Sequence, residues 1–435
     1  MKARNVLLAM AVAALGLAAN ETSAVELHGY LRSGIGGNGS GGNQVCFGSG
    51  TPLTANGYKF RLGNECENYA ELEFRESLYK DKNGLEFNYV GMLAYVSTQA
   101  QDYESLKGDT NPNDIALRQN WVGVTVPQLG GIGFWAGKRY YYRNDVHIID
   151  FFYWDVSGPG AGVENIDLGV GKLAIAVLET RALTSTGATE DRRVAWRPDV
   201  RLLGIPVGFG SLDLGVSLFY TSDQKAVKTS GEQEVSPWVT VQHFAPILGG
   251  YNKLAFQYAK GSAAPMAQAQ FGNTSSAEQW RFVEQMVFQP NPKISGMLAA
   301  TYSDFTHRYG GTGSYNSAKQ WGVGIRPQYY FSDIFHLAVD LGYQSLKPKD
   351  GTDKTERNLF KVTVAPTLSP PPGPGGAFFT RPELRLFATW ANWNKAMQRE
   401  NIVGQGTCEA TGTSTSVFGC DTNGLTFGAQ VETWW

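Results

Sequence analysis

The chain has 435 residues, of which 42 % are hydrophobic and 17 % charged, and its formal net charge is −2. So much hydrophobicity with so little net charge excludes a disordered chain. The 37 basic and 39 acidic residues nearly balance, which leaves no basic excess to neutralise the phosphates of a nucleic acid. The longest apolar run, residues 6–19, is shorter than the stretch of about 20 that a membrane-spanning helix needs.

The first 24 residues have the organisation of a secretory signal peptide. Lys2 and Arg4 precede an apolar core at residues 6–17, and small residues at 22–24 supply a cleavage site. A membrane anchor is the alternative, but the core is too short to span a bilayer. We therefore expect residues 1–24 to be removed and residues 25–435 to form the exported protein as one domain.

The four cysteines form two pairs that are close in sequence, Cys46 with Cys66 and Cys408 with Cys420. Exported proteins fold where disulfides persist, so the spacing predicts two local bridges, each closing a loop. A zinc site would require the two ends of the chain to meet, and the short Cys-x-x-Cys spacing typical of such sites is absent from the sequence.

Several segments of about ten residues alternate between apolar and polar positions, as a half-buried strand does. In residues 211–221 the even positions are aliphatic or aromatic, whereas most odd positions are small or polar. The same alternation occurs in residues 335–344 and 425–432, and Gly, Asn, Asp and Ser turns separate such segments. We find no convincing stretch with helical periodicity, so the pattern predicts an all-β protein.

Two architectures fit strands with one apolar face: a soluble sandwich that packs this face inward, and a transmembrane barrel that turns it to lipid. Residues 25–435 divide into about 18 strands at about 23 residues per strand and connection, which suits a large barrel. A sandwich of this length would need several domains, and no linker separates them. The Pro-rich stretch 366–376 is too short for a linker and predicts a rigid turn between two strands.

Large aromatic residues share the polar face with charged ones. Tyr30, Tyr69, Trp393 and Trp434 have this parity, whereas Trp435 has the apolar parity expected of an aromatic girdle. A lumen lined by rings and ionised groups suits a sugar, because rings take its flat C–H faces and charged groups its hydroxyls. The alternative is that a bulge inverts the parity and these are girdle or packing residues.

Long strings of residues resemble the maltoporin family of carbohydrate-specific outer-membrane porins. They are His28-Gly29-Tyr30, residues 32–36, 61–67 and 136–140, Tyr153-Trp154-Asp155, residues 157–162, 323–327, Arg381-Pro382 and Trp434-Trp435. The resemblance implies a homotrimer of antiparallel transmembrane β-barrels with about 18 strands, each narrowed by an inward-folded third loop. It also implies facilitated diffusion of maltose and maltodextrins, without a cofactor, along a row of rings called an aromatic slide.

The resemblance assigns residues to this path by position. The slide would comprise Tyr103, Tyr69, Tyr30, Trp434, Trp393 and Phe271. The polar partners would be Arg32, Arg61, Glu71, Arg118, Arg143, Asp145 and Asp150, with Phe152 at the narrowest point. Arg suits this role because its planar fork bridges neighbouring hydroxyls, and carboxylates accept the hydrogen bonds that Arg cannot. For Asp145, Asp150 and Asp155 an alternative role is to anchor the third loop through ion pairs.

Two positions depart from the family pattern. At the constriction the family has a Tyr, whereas this chain has Phe152. At the outer entrance the family has a Trp that the neighbouring subunit contributes, whereas this chain has Tyr103. Without the constriction hydroxyl, the gate is more apolar. The sugar preference therefore need not follow the family, and a porin for sucrose or another saccharide remains an alternative.

An even strand count places both termini in the periplasm and the long loops outside. Each disulfide would then constrain an exposed loop. In the chain-entropy model, such a bridge raises the free energy of unfolding by about 3 kcal/mol. The first bridge matches the family, and the second is inferred only from spacing. Such loops can also serve as phage receptors.

Other functions fit the sequence less well. The five histidines, at positions 28, 147, 243, 307 and 336, have no spacing that suggests a nucleophile and its base or a set of metal ligands. We therefore expect neither an enzyme nor a metal site. A general diffusion porin is the stronger alternative, but it would not be expected to carry an ordered row of rings.

Overall fold

The computed structural model describes residues 25–48, 58–99, 114–181, 193–222, 235–267, 269, 271, 275–307, 315–373, 377–398 and 416–435. Eighteen of its strands form one antiparallel sheet in which each strand pairs with the next. The last strand pairs with the first, which closes the sheet into a barrel. The predicted all-β fold, a large antiparallel barrel of about 18 strands, is confirmed.

The barrel strands alternate in direction around the sheet. They are β1 (Glu26–Asn38), β2 (Asn68–Lys80), β3 (Glu86–Ser97), β4 (Asp114–Val126), β5 (Ile132–Arg139), β8 (Gly158–Asp167), β9 (Lys172–Arg181), β10 (Val194–Pro206), β11 (Ser211–Ser222), β12 (Val235–Ile247), β13 (Gly250–Lys260), β14 (Glu278–Asn291), β15 (Ile294–Thr306), β16 (Ala318–Tyr330), β17 (Phe335–Pro348), β18 (Arg357–Leu368), β19 (Glu383–Trp393) and β20 (Asn423–Trp434). Two short strands, β6 (Asn144–Val146) and β7 (Phe151–Tyr153), form a separate hairpin between β5 and β8.

The short helices lie in the connections. Four are 3₁₀ turns at Pro127–Leu129, His147–Ile149, Gly261–Ala263 and Ala377–Phe379, and one is a single α-helical turn, α1 (Lys395–Gln398). Within the described residues, no helix has the length and apolar character needed to cross a bilayer.

The predicted alternation places apolar side chains on the outside of the barrel. Along β11, Leu214, Val216 and Leu218 are 37–42 % exposed, whereas Ser217 on the other face is buried. The same holds in β17 and β20, where the polar positions face inward. An exposed apolar face with a polar interior distinguishes a lipid-facing barrel from a sandwich, which would bury its apolar face.

The two ends of the barrel differ. Seven of the connections at the end that carries residues 25 and 435, here called the turn end, have only two to five residues. The eighth connection joins β18 to β19 and spans residues 369–382. It begins later than the turn predicted from residue 366, because β18 continues through Pro366 to Leu368. The opposite end, here called the loop end, carries the longer connections.

The connection between β5 and β8, residues 140–157, folds into the lumen as expected of a constriction loop. The Tyr153 hydroxyl donates to Gln242 Oε1 on β12 at 2.8 Å, and Gln285 on β14 donates back to it. The Trp154 ring occupies space left by Gly215, because a Cβ there would lie 2.2 Å from the ring. Glycine on the inner face of β11 therefore lets this loop pack against the wall.

The first long loop joins β1 to β2, and its described residues 58–67 also enter the lumen. Phe60 lies against Gly324 and Gly342 on β16 and β17, where an added Cβ would approach its ring to 2.3 Å. The predicted bridge between Cys46 and Cys66 is present in this loop. Cys420 is also disulfide-bonded, but its predicted partner Cys408 lies outside the described residues, as do residues 1–24.

Candidate functional site

A cavity of about 610 Å³ lies inside the barrel, between the wall around β1 and the constriction loop. Its lining residues are Tyr30, Arg32, Arg61, Tyr69, Glu71, Arg118, Arg143, Asp145, His147, Asp150, Phe152, Phe379 and Trp434. Eleven of these residues are among those that the sequence predicts to bind the sugar. The other two, His147 and Phe379, were not predicted.

Three rings form one side of the cavity, here called the ring wall: Tyr69, Tyr30 and Trp434. They come from the neighbouring strands β2, β1 and β20, and the closure of the barrel pairs Tyr30 directly with Trp434. The centroids of Tyr30 and Tyr69 are 6.0 Å apart, and those of Tyr30 and Trp434 are 6.4 Å apart with the planes within 16°. Inward parity on three adjacent strands thus produces a continuous aromatic surface.

Cations and a second set of rings lie close to the ring wall. The Arg143 guanidinium carbon is 3.6 Å from the Tyr140 ring centroid and 4.3 Å from that of Phe152. Arg118 donates to the Tyr140 hydroxyl, which donates to Glu71 Oε1 at 3.1 Å. These contacts hold both guanidinium groups by cation–π attraction and hydrogen bonds at the edge of the cavity.

The ring wall rests on a buried cluster of charges. Arg32 pairs with Glu65 at 3.2 Å and with Glu67, and Arg61 pairs with Glu65 at 3.1 Å and with Glu432 at 3.0 Å. The Glu65 side chain is fully buried, so its charge requires these partners. The carboxylates thus compensate the charge of both predicted arginines.

The cluster also holds the Tyr30 hydroxyl. This hydroxyl donates to Glu432 Oε1 at 2.9 Å and accepts a hydrogen bond from Arg61. These two bonds to charged groups fix the orientation of the phenol ring, which lines the cavity.

Asp150 connects the constriction loop to the first long loop through ion pairs. Its carboxylate lies 2.9 Å from Lys59 Nζ and 3.8 Å from Arg61 Nη1. Burial opposes its ionisation, but the charges of Arg61 and Lys59 outweigh that effect and hold the pKa of Asp150 below its ordinary value. This is the anchoring role foreseen as an alternative to sugar contact, although the residue also borders the cavity. Asp155 accepts a hydrogen bond from the Ser157 backbone N–H at 2.9 Å, and its charge also acts on Arg197 of the barrel wall.

Burial shifts the pKa of two further groups in the constriction loop, in opposite directions. The Asp145 side chain is 40 % exposed to the cavity, yet the surrounding loop and wall remove enough water that burial raises its pKa to about 7. Burial lowers the pKa of His147 well below its usual range. The neutral imidazole accepts a hydrogen bond from Arg381 Nη2 at 3.2 Å.

Three predicted slide residues are not part of the cavity as described. Trp393 points inward from β19 but is 3 % exposed, packed between Phe47 and Phe418. Phe271 lies in the connection between β13 and β14 at the loop end, with its ring centroid 5.3 Å from the Arg193 guanidinium. Tyr103 lies outside the described residues.

His147 and Phe379 gave no signal in the sequence analysis, because neither belongs to an alternating strand. The buried carboxylates of Glu65 and Glu432 were also missed as partners of the arginines. Glu432 has the inward parity of Trp434, so the pairing register of β1 with β20 was the information needed to find it. Among the described residues, no three His, Cys, Asp or Glu side chains are grouped to hold a metal ion.

A family model described as LamB porin matches residues 25–435. Similar solved structures include a BenF-like porin from Pseudomonas fluorescens Pf-5, with 9 % identity, coverage of 96 % of this chain and 100 % of that chain, and a TM-score of 0.49. Another is OccD3 (OpdP) from Pseudomonas aeruginosa, with 10 % identity, coverage of 95 % and 92 %, and a TM-score of 0.46. Because the family match spans the whole described barrel, this chain belongs to the LamB porin family, the maltoporins, which form channels in the outer membrane.

Proposed function

We propose that this porin conducts maltose and maltodextrins by facilitated diffusion along the ring wall. The observation that carries the proposal is the continuous surface of Tyr69, Tyr30 and Trp434, which faces charged groups across a cavity of about 610 Å³. The apolar face of a glucosyl unit can lie on such rings. A chain of linked units can then move from one ring to the next without leaving the aromatic surface.

The charged groups suit the hydroxyl rim of the same sugar. Arg118 and Arg143 supply donors in a planar fork, and Glu71 and Asp145 supply acceptors. Arg32 and Arg61 are paired with carboxylates, so their orientation is set before a ligand arrives. Preorganised partners exchange hydrogen bonds with a moving sugar at little ordering cost.

A different saccharide, such as sucrose, is the second candidate. It is favoured by Phe152, whose ring lies 4.3 Å from the Arg143 guanidinium and offers no hydroxyl at the constriction. A general diffusion porin is a third candidate. It is disfavoured because such a pore would not be expected to carry an ordered row of rings.

A homotrimer is part of the proposal, because the family resemblance implies it. Native mass measurement of the detergent-solubilised protein tests this directly. A species of three chains supports the trimer, and a single chain contradicts it.

Bilayer conductance tests the sugar path. Maltotriose and sucrose are titrated separately against single channels, and saturable block by maltotriose at millimolar or lower concentration is the expected result. In Trp434→Ala the half-saturating concentration of maltotriose should rise about fivefold to tenfold, because one ring face is lost. Ion conductance should stay the same or increase, since the pore widens.

Trp435→Ala is the matched control. Trp435 is the next residue, but its side chain is 49 % exposed on the outer face, so its removal should leave block unchanged. Absence of block by either sugar would contradict the aromatic path and favour general diffusion. Block by sucrose alone would replace maltodextrins with the second candidate.

A further inference from the structure

A row of aromatic side chains lies on the outer face of the barrel near the loop end, on β14 to β17. The Trp280 ring stacks on Tyr302 with centroids 5.0 Å apart, and the Trp321 centroid lies 5.1 Å from that of Tyr343. The backbone register pairs Tyr302 directly with Trp321, so the two pairs of rings adjoin each other. These four residues are here called the outer ring row. Because Trp and Tyr concentrate where a membrane meets water, the row marks that boundary at the loop end.

Three lysines lie just beyond the outer ring row, toward the loop end. Lys319 is two residues from Trp321 along β16, Lys347 lies on β17, and Lys349 follows the end of β17. These lysines and Asp304 on β15 are here called the lysine cluster. Lys319 and Lys347 are paired directly across the two strands, and both are exposed on the outer face. Two residues of a strand span about 7 Å, so the cluster lies beyond the rings, at the level of lipid headgroups.

The lysine cluster carries more positive charge than its carboxylate can balance. Asp304 pairs with Lys349 at 2.5 Å and with Lys319 at 3.9 Å. Within the part of the chain that the structure describes, no carboxylate lies within ion-pair distance of Lys347. The connection from β15 to β16, residues 307–317, contains no Asp or Glu. Like charges directly opposite each other destabilise a sheet, so the pair of lysines favours an anion from outside the chain.

Other charged groups on the outer face at the loop end have protein partners. Lys260 Nζ lies 3.9 Å from Glu278 Oε2, and Arg181 Nη2 lies 2.6 Å from Glu179 Oε1. Glu356, which precedes β18, accepts a hydrogen bond from a serine hydroxyl of β17. The lysine cluster differs from these pairs because three cations share one carboxylate.

We infer that the lysine cluster binds the phosphorylated headgroup of a membrane lipid in the leaflet at the loop end. Phosphate oxygens supply the negative charge that the cluster lacks, and two ammonium groups can share one phosphate. The acyl chains of the same lipid can lie along Val323 and Leu341, which are 42 % and 37 % exposed on the turn-end side of the rings. A lipid fits better than a free anion, because the charges adjoin this apolar surface. The inference concerns the outer face and does not depend on the proposed sugar path.

Native mass measurement of the detergent-solubilised protein tests the lipid contact. The probe is a glucosamine-disaccharide lipid that carries two phosphates, and its dephosphorylated form is the reference ligand. Wild type should bind the phosphorylated form more tightly. In the double variant Lys319→Gln/Lys347→Gln, the apparent Kd of this form should rise about tenfold, because two cations are removed from the headgroup site. The apparent Kd of the dephosphorylated form should not change.

Arg181→Gln/Lys260→Gln is the matched control. It removes two cations from the same face and the same end of the barrel, but each of them already has a carboxylate partner. The apparent Kd of the phosphorylated lipid should therefore change by less than about twofold.

Asp304→Asn should have the opposite effect to the loss of the lysines. The substitution removes the carboxylate that competes with a phosphate for Lys319 and Lys349, so the apparent Kd should fall about twofold to fivefold. A variant damaged in its fold would not bind the lipid more tightly, so this change separates the charge effect from structural damage.

The alternatives give different results. An unchanged Kd in Lys319→Gln/Lys347→Gln, or equal binding of the phosphorylated and dephosphorylated lipids, would overturn the inference. Displacement of the lipid by millimolar inorganic phosphate would assign the cluster to a free anion instead. Loss of the three-chain species in the double variant, with lipid binding unchanged, would make the cluster a contact between copies of the chain. Maltotriose block is measured separately, so failure of the sugar path and failure of the lipid site are distinguishable.

Discussion

Trp434 and Trp393 point into the barrel from adjacent strands, yet they lie in different surroundings. Trp434 borders the cavity, with its ring plane within 16° of that of Tyr30. Trp393 is buried under Phe47 from the first long loop and Phe418 from the last. Strand parity thus decides whether a ring faces lipid or lumen, and loops folded back into the barrel decide whether a lumenal ring is open to a ligand.

The difference also separates two kinds of energetic role. A covered ring contributes to the free energy of unfolding through packing, because its surface is removed from water and matched by neighbours. An open ring retains a face for a ligand and contributes correspondingly less to stability. The following substitutions test this distinction.

The largest effect is expected for Trp393→Ala. Removing this ring from its buried cluster should lower the free energy of unfolding by about 3–5 kcal/mol and leave maltotriose block unchanged. Urea unfolding of the micelle-bound protein measures the first quantity, and bilayer titration measures the second. Trp390→Ala on the outer face of the same strand, 41 % exposed, is the control and should cost less. Weakened block with unchanged stability would place Trp393 on the sugar path instead.

A smaller effect is expected for Phe152→Tyr, within the open region. The added hydroxyl can donate to a passing sugar, and a net hydrogen bond of about 0.5–1 kcal/mol corresponds to about twofold to fivefold tighter maltotriose block. Phe256→Tyr, 39 % exposed on the outer face, should have no effect. If neither block nor conductance changes in Phe152→Tyr, the narrowest point lies elsewhere.

The smallest effect concerns the charge of Asp145 in the same open region. Burial raises the pKa of this carboxyl from 3.8 to about 7, so it is mostly neutral at pH 6 and mostly ionised at pH 8. Cation selectivity should therefore increase as pH rises through 7, which reversal potentials in a KCl gradient measure.

Asp145→Asn should abolish this step, whereas Asp167→Asn at the exposed turn end should preserve it. A step of equal size in Asp145→Asn would assign the titration to another group. Because the folded protein holds this proton more tightly than the unfolded chain, the contribution of Asp145 to stability should fall as pH rises from about 4 to 7.

The sequence predicts most of the strand architecture because alternation acts locally. Tyr30, Tyr69 and Trp434 were placed in the lumen from parity alone, and the structure brings all three to the cavity. Strand parity cannot predict the orientation of side chains in segments that lack an alternating pattern. Phe379 follows a Pro-rich stretch, and nothing local indicates that this connection turns inward instead of remaining outside.

Burial by distant segments is also invisible to local patterns. Trp393 is covered by residues far from it in the chain, so its contacts depend on how two loops fold back together. The same reason explains why Glu65 and Glu432 were missed as partners of Arg61, since they meet only after the first loop enters the closed barrel.

The glycines on the inner wall have a further consequence for the width of the channel. Gly215, Gly324 and Gly342 act as sockets for Trp154 and Phe60, and each added Cβ would lie 2.2–2.3 Å from an aromatic atom. Since packed interiors tolerate no such overlap, a methyl group at these positions forces the loop away from the wall and toward the pore axis. The width of the channel is therefore set partly by the absence of side chains at these positions of the inner wall.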